Sequence, residues 1–196
     1  MDDNRKYWVW FSSLMKISPR KKNKLLEHFG SPLRIWEAEE KELEETGFCT
    51  PAIISSVIDK KTRDETYRLI ERIERSNTDI ITIQDENYPK MLKYIDDPPV
   101  VLFCKGRIDA EAVCVGVVGS RRASPYGMDM ARRISRELAE HNVTVVSGMA
   151  RGIDSRAHTG ALEGGGKTIA VLGCGTDIAY PPENRELMER ICSTGA

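Results

Sequence analysis

Three short apolar runs, each ending in a glycine-bearing loop, constrain this chain more than anything else in it. They are VCVGVV before Gly119, VTVV before Ser147-Gly148, and KTIAVL before Gly173-Cys174-Gly175. Helix-like stretches separate them. Strand, loop, helix and strand in alternation read as β-α-β-α-β, a parallel sheet with helical crossovers. In such a sheet the loops leaving the strands gather at the carboxyl edge, where ligands bind. The pattern therefore predicts that Gly119, Arg121, Ser147, Gly148, Arg151, Gly152, Asp154, His158 and Gly175 are neighbours. Main-chain N–H groups with guanidinium charge beside them suit a phosphate.

Composition bounds the rest. The 196 residues, 40% hydrophobic and 30% charged, allow one mid-sized α/β domain and a small companion. A net charge of −1 supplies no global field toward nucleic acid, so any basic site is local. The apolar runs are too short to span a membrane. Residues Tyr7 to Met15 could pass for a signal segment, but basic residues follow instead of a small-residue cleavage site, so they read as a core helix. The five cysteines are widely spaced and form no C-x-x-C pair. They call for neither zinc nor a disulfide framework. No metal, no cofactor and a cytoplasmic protein are the expectations.

Residues 1–76 read as an all-helical module, similar to a helix-hairpin-helix or sterile-alpha-motif-like unit, and residues 77–196 as the sheet domain. Trp8, Phe11 and Met15 fall on one helical stripe. Ser18-Pro19 and Thr50-Pro51 are helix starts, a capping residue followed by proline at the first turn. Pro32–Glu45 reads as one further unit, and Thr62–Arg75 as a charged helix. The basic cluster Lys16, Arg20, Lys21, Lys22 and Lys24 reads as a solvated helix face, and the acidic run Glu37–Glu45 counts against DNA binding there. DIITI at 79–83 and VVLFCKG at 100–106 read as two strands flanking the main sheet.

The first loop, Gly119-Ser120-Arg121, precedes Ser124-Pro125, a helix start whose buried stripe would be Met128, Ala131, Ile134 and Leu138. The second, Ser147 to Asp154, holds two glycines and Arg151 ahead of another helix. Asp154 can cap that helix and reach His158 four residues on. A Ser147–Asp154–His158 triad is disfavoured, because no G-x-S-x-G elbow is present and three residues of one loop and its helix are cramped. Gly164-Gly165-Gly166-Lys167-Thr168 imitates the end of a phosphate-binding P-loop. However, it closes a helix and opens a strand, the reverse of the required order, so Lys167 belongs at the opposite sheet edge.

The run GSRRASPYG…VVSGMARGIDSRAHTGALEGGGKTIAVLGCGTDIAYPPEN, with YPKMLKYIDDPPVVLFCKG before it, resembles the DNA-processing protein A family, DprA or Smf. The resemblance implies an extended Rossmann-like parallel sheet, incomplete here, preceded by the small helical module. It implies binding and protection of single-stranded DNA and help in loading RecA during natural transformation, without enzymatic activity. It places Gly119, Ser120, Arg121, Ser147, Gly148 and Gly152 around the phosphate pocket, with Arg151 at a variable, often basic position. Family members continue with another strand and a Phe-Pro-Arg-Asn-Arg segment, so the chain is expected to be a fragment. The family's homodimer and RecA surfaces lie largely in that further part, and the resemblance does not carry them onto residues here. The rival reading is a Rossmann-like hydrolase of nucleoside monophosphates, with Asp154 or Glu163 supplying acid–base chemistry.

Overall fold

The computed structural model describes residues 4–196, so residues 1–3 of the expected helical module lie outside the described residues. Packing divides the chain into two units, one ending at Phe103 and one running Cys104–Ala196.

The first unit carries six helices: α1 (Arg5–Ser13), α2 (Pro19–Phe29), α3 (Pro32–Glu37), α4 (Glu40–Glu45), α5 (Pro51–Ile58) and α6 (Lys60–Arg75). Three of them start at a proline, whose fixed φ suits the first helical position. Trp8, Val9, Trp10, Phe11 and Leu14 are buried, but Met15 is 90% exposed rather than on their stripe. The cause is local. The Ser12 and Ser13 hydroxyls donate to the carbonyls of Val9 and Trp10 at 2.8 and 2.7 Å, offering the backbone an alternative to another helical turn. Pro32–Glu45 is two helices, because Glu39 forms a reciprocal capping box with Glu42 and starts α4 afresh.

Strands β1 (Asp79–Thr82) and β2 (Val101–Cys104) form their own two-stranded sheet. They pair with each other and add no strand to the main sheet, contrary to expectation. Ile80, Val100 and Val101 instead enter the core that α1–α6 build around Trp10, Leu25, Ile35, Leu43 and Val57. Removing those side chains from water decides where the ribbon packs.

The second unit matches the expected alternation: β3 (Cys114–Gly116), α7 (Pro125–Glu140), β4 (Thr144–Ser147), α8 (Ile153–Glu163), β5 (Thr168–Ala170) and α9 (Arg185–Thr194). The sheet order is β3-β4-β5, parallel throughout, with Val115 opposite Val145 and Val146 opposite Ile169. Both crossovers advance in the same direction, so right-handed connections put α7 and α8 on one face. On the α7 stripe, Ala131, Ser135 and Ala139 are buried while Ile134 is 45% exposed, which corrects the expected set. The reason is the closeness of α8. A Cβ on Gly160 would lie 2.8 Å from the Arg132 carbonyl carbon, so the α7 backbone approaches α8 where no side chain fits. Small residues must line such a contact. At the chain's last residue, Ala196 pairs with β5: its N–H donates to Thr168 O at 3.2 Å and its carbonyl accepts from Ala170 N at 2.8 Å. No helix among the described residues is long and apolar enough to cross a membrane.

Candidate nucleic-acid interface

The loop after β3 and the start of α8 are clamped together. The Ile153 N–H donates to the Ser120 carbonyl at 3.3 Å. Gly152 has φ +80° and ψ −122°, and a Cβ there would run into the Ser120 carbonyl oxygen and lie 2.9 Å from that of Arg121. The Ile153 side chain packs on Gly119, whose own Cβ would sit 2.7 Å from it. Asp154 lies next along the chain, beneath Gly148, and accepts from the Ala150 N–H at 3.3 Å. Gly119, Ser120, Arg121, Gly148 and Gly152 are thus brought together at the carboxyl ends of β3 and β4.

What this edge offers is donor capacity. Gly119, Ser120, Arg121 and Gly148 are exposed, and among the described residues their amides donate to no backbone acceptor. The Ser120 hydroxyl accepts from the Arg122 N–H at 3.0 Å, and its own proton is left over for a ligand. Ser124 caps α7 through the Gly127 N–H at 3.1 Å, with Pro125 at the first position, as the sequence predicts. The positive end of a 16-residue helix therefore closes the loop. The Arg121 guanidinium makes no hydrogen bond or ion pair among the described residues. The same holds for Arg122 and Arg156, exposed cations that the sequence reading passed over.

Three expected residues sit differently. Ser147 is buried, and its hydroxyl donates to the Val117 carbonyl at 2.7 Å, so it ties β4 to the end of β3 instead of facing a ligand. Arg151 forks onto Glu183 at 2.5 and 3.0 Å. Each strengthens the other's charge: the hydrogen bond from Arg151 holds the Glu183 carboxyl below its ordinary range, and Glu183 holds the guanidinium's proton more firmly. The nearest atoms around Gly175 belong to Asp177 and Ile178 of its own loop, and a carboxylate is a poor neighbour for phosphate.

The second loop is also buttressed from afar. Met149, buried with φ +62°, accepts through its carbonyl from Asn184 Nδ2 at 2.9 Å. A partner 35 positions away leaves no local signature in sequence.

The disfavoured triad is not assembled. His158 is fully buried, and its Nδ1 faces Thr168 Oγ1 at 2.7 Å, not Asp154. Thr168 spends its hydroxyl proton on the Val145 carbonyl at 2.7 Å. It must therefore accept from His158 Nδ1–H, which leaves Nε2 unprotonated and, among the described residues, without a partner. Glu163, the rival acid, ends α8 away from the glycine loops and is held by a bidentate pair with Arg132, both bonds 2.6 Å. Lys167 lies at the far edge, before β5, 3.8 Å from Asp109. None of these groups is poised for hydrolysis.

A parallel α/β sheet whose strand-end loops carry exposed amides and arginines defines the class. Within it, residues 79–196 match the family model described as DNA recombination-mediator protein A, and the chain belongs to that family. It is 34% identical over 96% of its length to Protein Smf of Synechocystis, covering 49% of that protein. It is 45% identical to DNA processing protein DprA of Streptococcus pneumoniae over 56% of this chain and 39% of that one. The chain thus spans about half the length of such relatives, or less. The crystal structure of the S. pneumoniae protein superimposes with a TM-score of 0.72 at 30% identity, over 97% of this chain and 65% of that one. A structure of DNA processing protein A from Helicobacter pylori, reported for its single-stranded DNA binding mode, matches 61% of this chain and 54% of that one with a TM-score of 0.52 at 30% identity.

Proposed function

We propose that the carboxyl edge of the β3-β4-β5 sheet holds successive phosphates of single-stranded DNA. The observation that carries this reading is the clamped Gly119–Arg121 loop at the start of α7, whose amides and Arg121 guanidinium have no partner among the described residues. Backbone donors and guanidinium groups read phosphate, so binding is weakly selective for base sequence and weakens steeply with salt. The H. pylori relative's reported single-stranded DNA binding supports the choice of ligand. Gly119, Ser120, Arg121, Gly148 and Gly152 form the contact surface, and Ser147 positions it. Gly175 stands at its margin. As part of a recombination-mediator protein, the chain would protect incoming single strands in the cytoplasm and help deliver them to the recombinase RecA during transformation. The role is binding without catalysis.

Arg121→Ala should lower affinity for a labelled oligonucleotide by about 1–3 kcal/mol, roughly 5- to 150-fold, the range for losing a charge-assisted contact. Titration of both proteins at one salt concentration checks it, and equal affinities would remove the sheet edge as the site. Glu183→Gln should act in the opposite direction. It releases Arg151 from an exposed partner, and surface pairs are weak, so a gain of about two- to fivefold is expected in the same titration.

A further inference from the structure

We propose that the solvent face of α2 is a second contact for nucleic-acid phosphates, one that takes duplex as readily as single strands. It rests on the reading of the chain as a nucleic-acid binder but uses none of the sheet-edge residues.

Most of the helix's cations share one side. At 100° per residue, Arg20 and Lys24 stand together with the exposed Glu27 beside them, Lys21 lies within a quarter-turn or so of the pair, and Leu25, Leu26 and Phe29 lie on the side toward the core. Leu25 and Leu26 are buried in the core, and Phe29 packs against it. Lys22 falls on that inner side too, and its ammonium donates to the Ser12 carbonyl at 2.7 Å. That leaves Arg20 and Lys24 exposed and Lys21 half-buried beside them, with the exposed Lys16 just before the helix.

These four cations have no partner among the described residues. Several exposed helical cations elsewhere are neutralised one turn away: Lys41 by Glu45, Lys61 by Glu65, Arg75 by Glu71, Arg133 by Glu137 and Arg136 by Glu140. On α2 the residue four on from Arg20 is another cation, Lys24, and no acid stands in the first turn. Three unpaired cations thus fall within the five residues Arg20–Lys24 of one helix. The acidic run that counted against DNA in the sequence rides on α4, whereas α2 packs on α3.

The chemistry selects among polyanions. A helix that lies on a membrane needs an apolar face to insert, and that of α2 is spent on the core. Residues 16–24 contain no aromatic side chain on which an unpaired base could stack. Phosphate is then all the surface reads, and a duplex offers it at higher density than a single strand.

The experiment compares salt dependence of binding to an oligonucleotide and to a duplex, using the full chain. The triple variant Arg20→Gln, Lys21→Gln, Lys24→Gln should lower the slope of log K against log salt by about 2 units on single strands and nearer 3 on duplex. The triple variant Lys41→Gln, Lys61→Gln, Arg75→Gln removes equal charge from paired positions and should leave the slope unchanged. Unchanged slopes in the α2 variant, or equal drops in both, overturn the proposal. So does loss of binding to phosphatidylglycerol vesicles with no change on DNA, which would make the surface a membrane contact. Arg121→Ala, measured alongside, separates the two sites. If it matters and the α2 variant does not, this inference alone fails; the converse removes the sheet edge and leaves α2.

Discussion

Gly152→Ala should cost the second unit about 2–6 kcal/mol of stability and take most single-strand affinity with it. Two effects add. With φ +80° and ψ −122°, the backbone sits where glycine is at home and other residues are strained by about 1–3 kcal/mol. The new methyl would also collide with the Ser120 carbonyl, and forcing an extra group into a packed contact costs about 1–3 kcal/mol more. Relief requires the Ser120–Arg121 backbone to move, which opens the Ile153 N–H bond to Ser120 and displaces the donors of the proposed phosphate contact. Gly165→Ala is the control. Its φ is +71°, yet nothing lies within 4 Å of the added Cβ, so it carries strain without collision. Urea unfolding of both variants and titration with an oligonucleotide test the claim. Equal losses at the two positions would show that the clamp between the loops contributes nothing.

That clamp was half legible in the sequence. The alternation of apolar runs and helix-like segments gives a parallel sheet, and such a sheet brings Gly119 and Gly148 to one edge. Local rules also found Ser124 and Pro125 at the start of α7, because capping is a matter of three or four residues. Rules of that range could not say which groups would remain available. Arg121 and Arg151 look alike in a loop, but Glu183, 32 positions on, occupies one and leaves the other open. Ser147 looks like a ligand group until the Val117 carbonyl takes its proton, and Gly175 shares the pattern of the other glycines while its neighbours include Asp177.

The helical stripes failed for a related reason. Periodicity assigns an apolar face to a helix, but not the distance at which its neighbour packs. On α7 the close approach of α8 selects Ala131, Ser135 and Ala139 over Ile134. On α1 two serine hydroxyls end the helix before Met15 can join it. A four-residue run such as Asp79–Thr82 is equally silent about its partner, and burial against Trp10 and its neighbours draws it to the helices.

His158 carries the second large effect, and its sign follows from what surrounds it. Spacing placed Asp154 and His158 on one face of α8, yet the carboxylate turns to the Ala150 amide and the imidazole to Thr168. Burial pushes the His158 pKa from 6.5 down to about 4, against a smaller upward pull from the Asp154 charge. Protonation would create an Nε2–H with no acceptor among the described residues. The unfolded chain therefore binds this proton more readily than the folded one, and stability rises with pH across the interval. The contribution is complete above about pH 6.5, is lost as pH falls toward 4, and amounts to about 3 kcal/mol. Glu163 and Glu183, each held below the ordinary carboxyl value of 4.5 by its arginine, lose their contributions only at lower pH, so the windows separate. Urea unfolding between pH 7 and 4.5 should show a steady loss in the natural chain. In His158→Gln, which has nothing to titrate there, the curve should start lower and run nearly flat. A natural chain as flat as the variant would mean that the buried ring is not held neutral.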